Sequence, residues 1–169
     1  KDGMTIRVFV NPKSKVTAVT AESSAPFTDF YPGLDYTKAT PTIVSVNNVT
    51  LTGIGNEESY GIAVWALGES AISSISGCDI QNWEVGIVTF VESAAASVNA
   101  EFNRIYGNTY GFWSNTTFDQ LAQHNYWGAD SGPTHATNPN GDGDVISDHV
   151  FYDPWCNYDF SKCNFSVSC

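Results

Sequence analysis

A bulky apolar residue, a glycine and an alternating run occur together three times in this chain. The copies are Tyr60-Gly61-Ile62-Ala63-Val64-Trp65, Val85-Gly86-Ile87-Val88-Thr89-Phe90 and Tyr110-Gly111-Phe112-Trp113-Ser114-Asn115. The glycines fall at 61, 86 and 111, a spacing of 25 residues, and Ile80 and Ile105 keep the same spacing. Alternation of this kind predicts a short strand, and the glycine a tight bend leading into it. Self-similarity at 20 to 50 residues marks a solenoid. No helical window separates the copies, so the predicted object is all-β, a β-solenoid whose equivalent side chains stack about 4.8 Å apart, with Ile62 under Ile87 and Phe112.

The alternation also assigns faces. Ile62, Val64, Ile87, Thr89, Phe112 and Ser114 point inward, which sends Ala63, Trp65, Val88, Phe90, Trp113 and Asn115 outward. Ahead of the repeat, residues 1–40 follow a different pattern. Thr5 to Val10 alternates as a strand that Asn11-Pro12-Lys13 ends, Ser14 to Ser24 is polar, and Ala25 to Gly33 is an aromatic, proline-punctuated loop suited to covering something. The coil itself begins at Pro41. Its second turn runs through Ile72, Ile75, Cys78 and Ile80, its third through Val98, Phe102 and Ile105, and a shorter fourth ends at Asn125-Tyr126-Trp127-Gly128.

From Asn125 the sequence is distinctive. Asn125-Tyr126-Trp127-Gly128 is followed by Ser131-Gly132-Pro133-Thr134, by Asn138-Pro139-Asn140-Gly141-Asp142-Gly143-Asp144, and by a last strand ending at Pro154-Trp155. This order resembles the closing motif of right-handed parallel β-helix proteins of the pectin-lyase-like class. The resemblance implies a short right-handed parallel β-helix of about four coils. Residues 1–40 then form an N-terminal β segment and covering loop, 41–155 the helix with its closing motif from 125, and 156–169 a cysteine-rich tail, all in one structural domain. The motif implies architecture and carries no activity.

Composition narrows the partners. Across 169 residues, 18 acidic side chains against 7 Lys and Arg give a net charge of -11, which repels phosphate backbones and anionic lipid. Nucleic acid is therefore a poor partner, and no apolar run approaches the roughly 18 residues needed for membrane insertion. The chain starts Lys1-Asp2-Gly3, as expected of a processed product or a fragment. Cys78, Cys156, Cys163 and Cys169 form an even set without metal-ligand spacing, so disulfides in an oxidising compartment are expected, with three pairings open. Three sequons, at Asn48, Asn115 and Asn164, point to the same extracellular or cell-surface setting and to attached glycans.

Candidate chemistry is sparse. Polysaccharide-cleaving enzymes of this fold use Arg or Lys beside carboxylates, yet Arg104 is the one Lys or Arg between Lys38 and Lys162. It follows Asp79 by 25 residues, which predicts a surface ion pair between adjacent coils. Glu84, Glu92, Glu101 and Asp119 are candidate carboxylates for hydrolysis, but they sit at non-equivalent coil positions. His124, His135 and His149 read as structural. Asp142, Asp144 and Asp148 alternate as oxygen ligands that a calcium ion would accept, while the Gly-Asp pair also reads as a turn and backbone cap. No other cofactor is expected. Trp65, Phe90 and Trp113 on the outer face suit a subunit interface or a sugar-stacking platform. The expectation is a non-catalytic secreted glycoprotein with a structural or adhesive role, self-assembling into a fibre or surface layer. The alternatives are a polysaccharide-binding or polysaccharide-cleaving module, and a fragment of a longer viral or surface β-helix.

Overall fold

The computed structural model describes residues 5–7, 15–16, 20–23, 42–55, 57, 59–66, 71–91 and 96–164. Among them there is no helix, and every named element is a strand. Three strands come first, β1 (Thr5–Arg7), β2 (Lys15–Val16) and β3 (Thr20–Ser23). The repeat then supplies strands in threes. These are β4 (Thr42–Asn47), β5 (Thr50–Thr52) and β6 (Tyr60–Ala66), then β7 (Ala71–Ser76), β8 (Asp79–Gln81) and β9 (Val85–Val91), then β10 (Ala96–Glu101), β11 (Arg104–Tyr106) and β12 (Tyr110–Asn115). The closing region adds β13 (Gln120–Leu121), β14 (Pro133–Thr134), β15 (Gly143–Ile146), β16 (Val150–Phe151), β17 (Trp155–Cys156) and β18 (Cys163–Asn164).

Each repeat places one strand in each of three sheets. A polar sheet holds β4, β7 and β10, a short sheet β5, β8 and β11, and a glycine sheet β6, β9 and β12, all parallel. The first repeat is longer than the spacing of the glycines suggests. Thr42 pairs with Ala71 and Thr50 with Asp79, because the loop after β5 carries extra residues that the later loops lack. The sheets keep register and the loop absorbs the difference.

At the N-terminal end β1, β2 and β3 pair antiparallel with β6, β5 and β4, so one early strand lies against the first repeat in each sheet. At the other end β13 and β16 extend the polar sheet, β15 and β14 extend the glycine sheet, and Tyr126 bridges to Arg104 in the short sheet. Inside, the three sheets share one core. Leu51, Ile80 and Ile105 form a fully buried ladder, as do Ile62, Ile87 and Phe112. Each such side chain contributes about 1.5–3 kcal/mol of apolar burial.

The recurring glycines have a reason other than a bend. A Cβ on Gly61 would stand 2.6 Å from the Gly86 carbonyl oxygen, and one on Gly86 would stand 2.7 Å from that of Gly111. Each glycine lets the next repeat's backbone approach more closely than any side chain permits. Turns between the polar and short sheets pass through left-handed residues at Asn48, Gly77, Phe102 and His124. Phe102, a costly residue at positive φ, is stacked on His124 at 5.2 Å between ring centres.

Ladders of buried amides close two corners, the first here and the second between the short and glycine sheets. Asn103 accepts from the Cys78 N–H at 2.9 Å and donates to Ile75 O, and Asn125 in turn accepts from the Asn103 N–H at 2.9 Å. Asn108 accepts from the Trp83 N–H and itself donates through its backbone and side chain to Asp144 Oδ2, at 3.1 and 2.8 Å. Asp144 is thus the last rung of the second ladder.

The cysteine expectation is met in one place and corrected in another. Cys156 and Cys163 form a disulfide across the β17–β18 hairpin. Cys78, by contrast, is a free buried thiol. It occupies a ladder position facing the carbonyls of Ser76 and Val46 at 3.3 and 3.5 Å, and burial raises its pKa. Cys169 lies outside the described residues. The stapled hairpin covers the short sheet. Arg104 donates to Tyr158 O at 2.8 Å, its guanidinium lies 4.7 and 4.9 Å from the Tyr158 and Phe160 rings, and it meets Asp79 at 3.5 Å. The expected ion pair is present, with the two rings as partners the sequence did not suggest.

Candidate functional site

The outer face of the glycine sheet carries a second, smaller apolar cluster. Ala63, Val85 and Val88 form its buried floor, with Tyr60, Phe90 and Tyr110 packed against them. Two edge-to-face aromatic pairs stand above that floor, Tyr60 with Phe90 at 5.7 Å and Tyr110 with Trp113 at 4.7 Å between ring centres. All of these but Ala63, together with Glu84, line a groove of about 270 Å³.

Strand parity explains part of this face. Trp113 is 40% exposed, Phe112 and Ser114 beside it are buried, and Asn115 is exposed, as alternation predicts. Tyr60 and Tyr110 break the pattern. They share parity with the inward Ile62 and Phe112, yet they line the outer groove. The glycine after each drops out of the cross-strand pairing, with Tyr60 opposite Val85 and Ile62 opposite Ile87 but no pair between the glycines. Such a break re-aims the residue before it. Gly61 and Gly111 were the available signal for these two rings. Trp65 pairs through its backbone with Phe90 and Thr5, and its side chain lies outside the described residues, as does the Ala25 to Gly33 loop.

A second hollow, of about 310 Å³, adjoins this face along Ser114, Asn115, Thr116, Thr117 and Phe118. It contains the whole sequon of Asn115. Thr116 Oγ1 accepts from the Phe118 N–H at 2.9 Å and so fixes the turn, leaving Asn115 and Thr117 exposed. The other sequons are placed differently. Asn48 is exposed at φ 55°, with its amide lying over Gly77, where a Cβ would collide with it. Asn164 sits in the stapled hairpin and donates to Asp130 O at 3.5 Å.

The remaining candidates do not converge. Asp144 turns inward to Asn108, and burial pushes its carboxyl up to about 6. Asp148 meets His135 Nε2 at 3.3 Å, and Asp142 is exposed in the loop. Asp142, Asp144 and Asp148 are thus engaged separately, and among the described residues no group of three ligating side chains comes together. Asp144 caps the Asn108 N–H, the turn-and-cap role also read from the Gly-Asp pair. Of the carboxylates considered for hydrolysis, Glu84 lines the aromatic groove, Glu101 belongs to the polar sheet and Asp119 meets His149 Nδ1 at 3.2 Å. Glu92 lies outside the described residues. Among the described residues no helix is long and apolar enough to cross a membrane. Compared with protein families, curated proteins and solved structures, the chain finds no match.

Proposed function

We propose that this chain is an extracellular, non-catalytic glycoprotein with a structural or adhesive role, built as a short right-handed parallel β-helix of about four coils. One strand per sheet per repeat, stacked in parallel register over a single core, supports the β-helix. The observation that carries the adhesive role is the glycine-sheet face, where paired aromatic rings stand over an aliphatic floor with Trp113 open to solvent. Exposed aromatic faces of this kind mark contact surfaces or ligand grooves. Self-assembly is supported at the far end of the polar sheet, where Leu121 and Phe151 are cross-strand neighbours, 44% and 51% exposed. Protein secreted from eukaryotic cells is examined by size exclusion and electron microscopy, beside a Phe151→Lys variant. Fibres or oligomers that the variant loses are expected, and monomers alone, with no adhesion to cells or matrix, would sink the proposal.

A polysaccharide-binding module is the second reading, favoured by Glu84 at the rim of the aromatic groove. It calls for neutral-glycan binding on an array that Trp113→Ala and Tyr110→Ala abolish. Reducing ends released from the bound glycan would move it to the hydrolases.

A further inference from the structure

The three sequons differ in what surrounds the acceptor amide, and Asn115 is set apart by aromatic neighbours. Residues i and i−2 of a strand share a face, so Trp113 stands beside Asn115 along β12, and both are exposed. Phe90 is the cross-strand partner of Asn115. Side chains directly opposite on parallel strands stand about 5 Å apart, within reach of a sugar on the amide nitrogen. Tyr110 buttresses the Trp113 indole edge to face at 4.7 Å and limits its swing. The neighbouring hollow leaves room for a pyranose, and Thr117, the hydroxyl residue of the sequon, is exposed in it. Asn48 instead lies across Gly77, and Asn164 donates from the hairpin to Asp130 O.

We propose that Asn115 is the principal N-glycosylation site and that its first sugar packs on Trp113, so that the glycan becomes part of the outer contact face. This rests on the glycoprotein reading above. In the transfer, Asn115 Nδ2 forms a bond to C1 of an oligosaccharide carried on a polyprenyl diphosphate. The C1–O bond to the diphosphate breaks, the lipid diphosphate leaves, and the amide nitrogen gives up one proton. No oxidant or reductant is involved. The apolar ring face of an N-acetylhexosamine then lies against the indole and shields it from water, while its hydroxyls face solvent.

The test is expression of the full chain through a eukaryotic secretory pathway, with occupancy at Asn48, Asn115 and Asn164 read by mass spectrometry and thermal unfolding of wild type, Thr117→Ala and Trp113→Ala. Thr117→Ala keeps the aromatic face and removes only the sequon, so folding of that variant is secure. Expected are sugar at Asn115, a drop in Tm of about 2–4 °C when it is lost through Thr117→Ala or enzymatic deglycosylation, and no such drop on deglycosylating Trp113→Ala. Sugar at Asn48 or Asn164 with Asn115 bare overturns this proposal and leaves the glycoprotein reading standing. Three bare sequons overturn both. An occupied Asn115 whose removal changes Tm equally with and without Trp113 overturns the packing on the indole.

Discussion

Replacing Asn125 by alanine tests the corner ladder most directly. The side chain is fully buried, its Oδ1 accepts from the Asn103 N–H at 2.9 Å and from Asn103 Nδ2 at 3.0 Å, and its Nδ2 donates to Ala100 O and Ala122 O, both at 2.7 Å. Alanine removes all four bonds at once. A buried group left without its partner costs about 1–3 kcal/mol, but the four surround one small polar void that a single water can enter to recover part of the loss. The expected destabilisation is therefore about 3–5 kcal/mol, or about 6–20 °C in Tm for a chain of this length. Asn125→Asp sharpens the test. It preserves shape and the Oδ1 acceptor, but it turns the donor facing two carbonyl oxygens into a carboxylate oxygen. Burial raises the pKa of such a carboxyl, so its protonated form is the one the folded state tolerates, and the variant gains stability as pH falls and loses it as pH rises through that pKa. Urea unfolding followed by tryptophan fluorescence between pH 4 and pH 8 reads both effects, since Trp83 and Trp127 are fully buried. An alanine variant weakened by less than about 1 kcal/mol, or an aspartate variant matching wild type at pH 7, would refute the ladder's role.

Three further outcomes are expected. Gly86→Ala forces a Cβ to within 2.7 Å of Gly111 O and 3.1 Å of Ile105, so urea titration is expected to register a loss of about 2–3 kcal/mol, against about 1 kcal/mol for Gly55→Ala, where nothing lies within 4 Å and only positive φ is penalised. The Asp144 carboxyl, raised to about 6 from 3.8, holds its proton more tightly when folded, so its contribution is fully present below pH 3.8 and lost as pH rises through 6. Asp144→Asn keeps an acceptor for Asn108, flattens that slope and is expected to exceed wild-type stability at pH 7 by about 1–2 kcal/mol in the same titration, the figure reduced because the residue is only partly enclosed. Cys156→Ser opens a disulfide spanning 7 residues and is expected to cost about 2.5 kcal/mol on loop-entropy grounds, with dithiothreitol producing the same change in wild type and none in the variant.

Residues that repeat were legible in the sequence, and their unrepeated partners were not. The strands at Gly61, Gly86 and Gly111, the inward Ile62, Ile87 and Phe112, and the Asp79–Arg104 pair all follow from a fixed spacing, because parallel register converts sequence distance into adjacency. Cys78 was misread because cysteine pairing was argued from number and compartment, whereas its position opposite Asn103 makes it part of the buried corner. Tyr60 and Tyr110 escaped because faces were assigned only from the residue after each glycine, and the break in pairing at the glycine turns the residue before it outward. The inward turn of Asp144 has a partner 36 positions away in Asn108, a distance set by the closing region between β12 and β15 and by no period in the chain. The aromatic groove was half visible, through Phe90 and Trp113, and the other half required the break in parity to be seen in three dimensions.

The residue-for-residue pairing of the second repeat with the third makes the second a length of chain that can be duplicated in place. Asp79 to Gln81 face Arg104 to Tyr106, and Ile87 to Phe90 face Phe112 to Asn115, without a slipped position. A duplication of one such unit would present to each neighbour the backbone edge it already meets, including the glycine that admits close approach. Duplication of the second repeat in place leaves the terminal strands on the first repeat and the hairpin on Arg104, so a gene encoding this protein can lengthen its reach in steps of one strand spacing, about 4.8 Å.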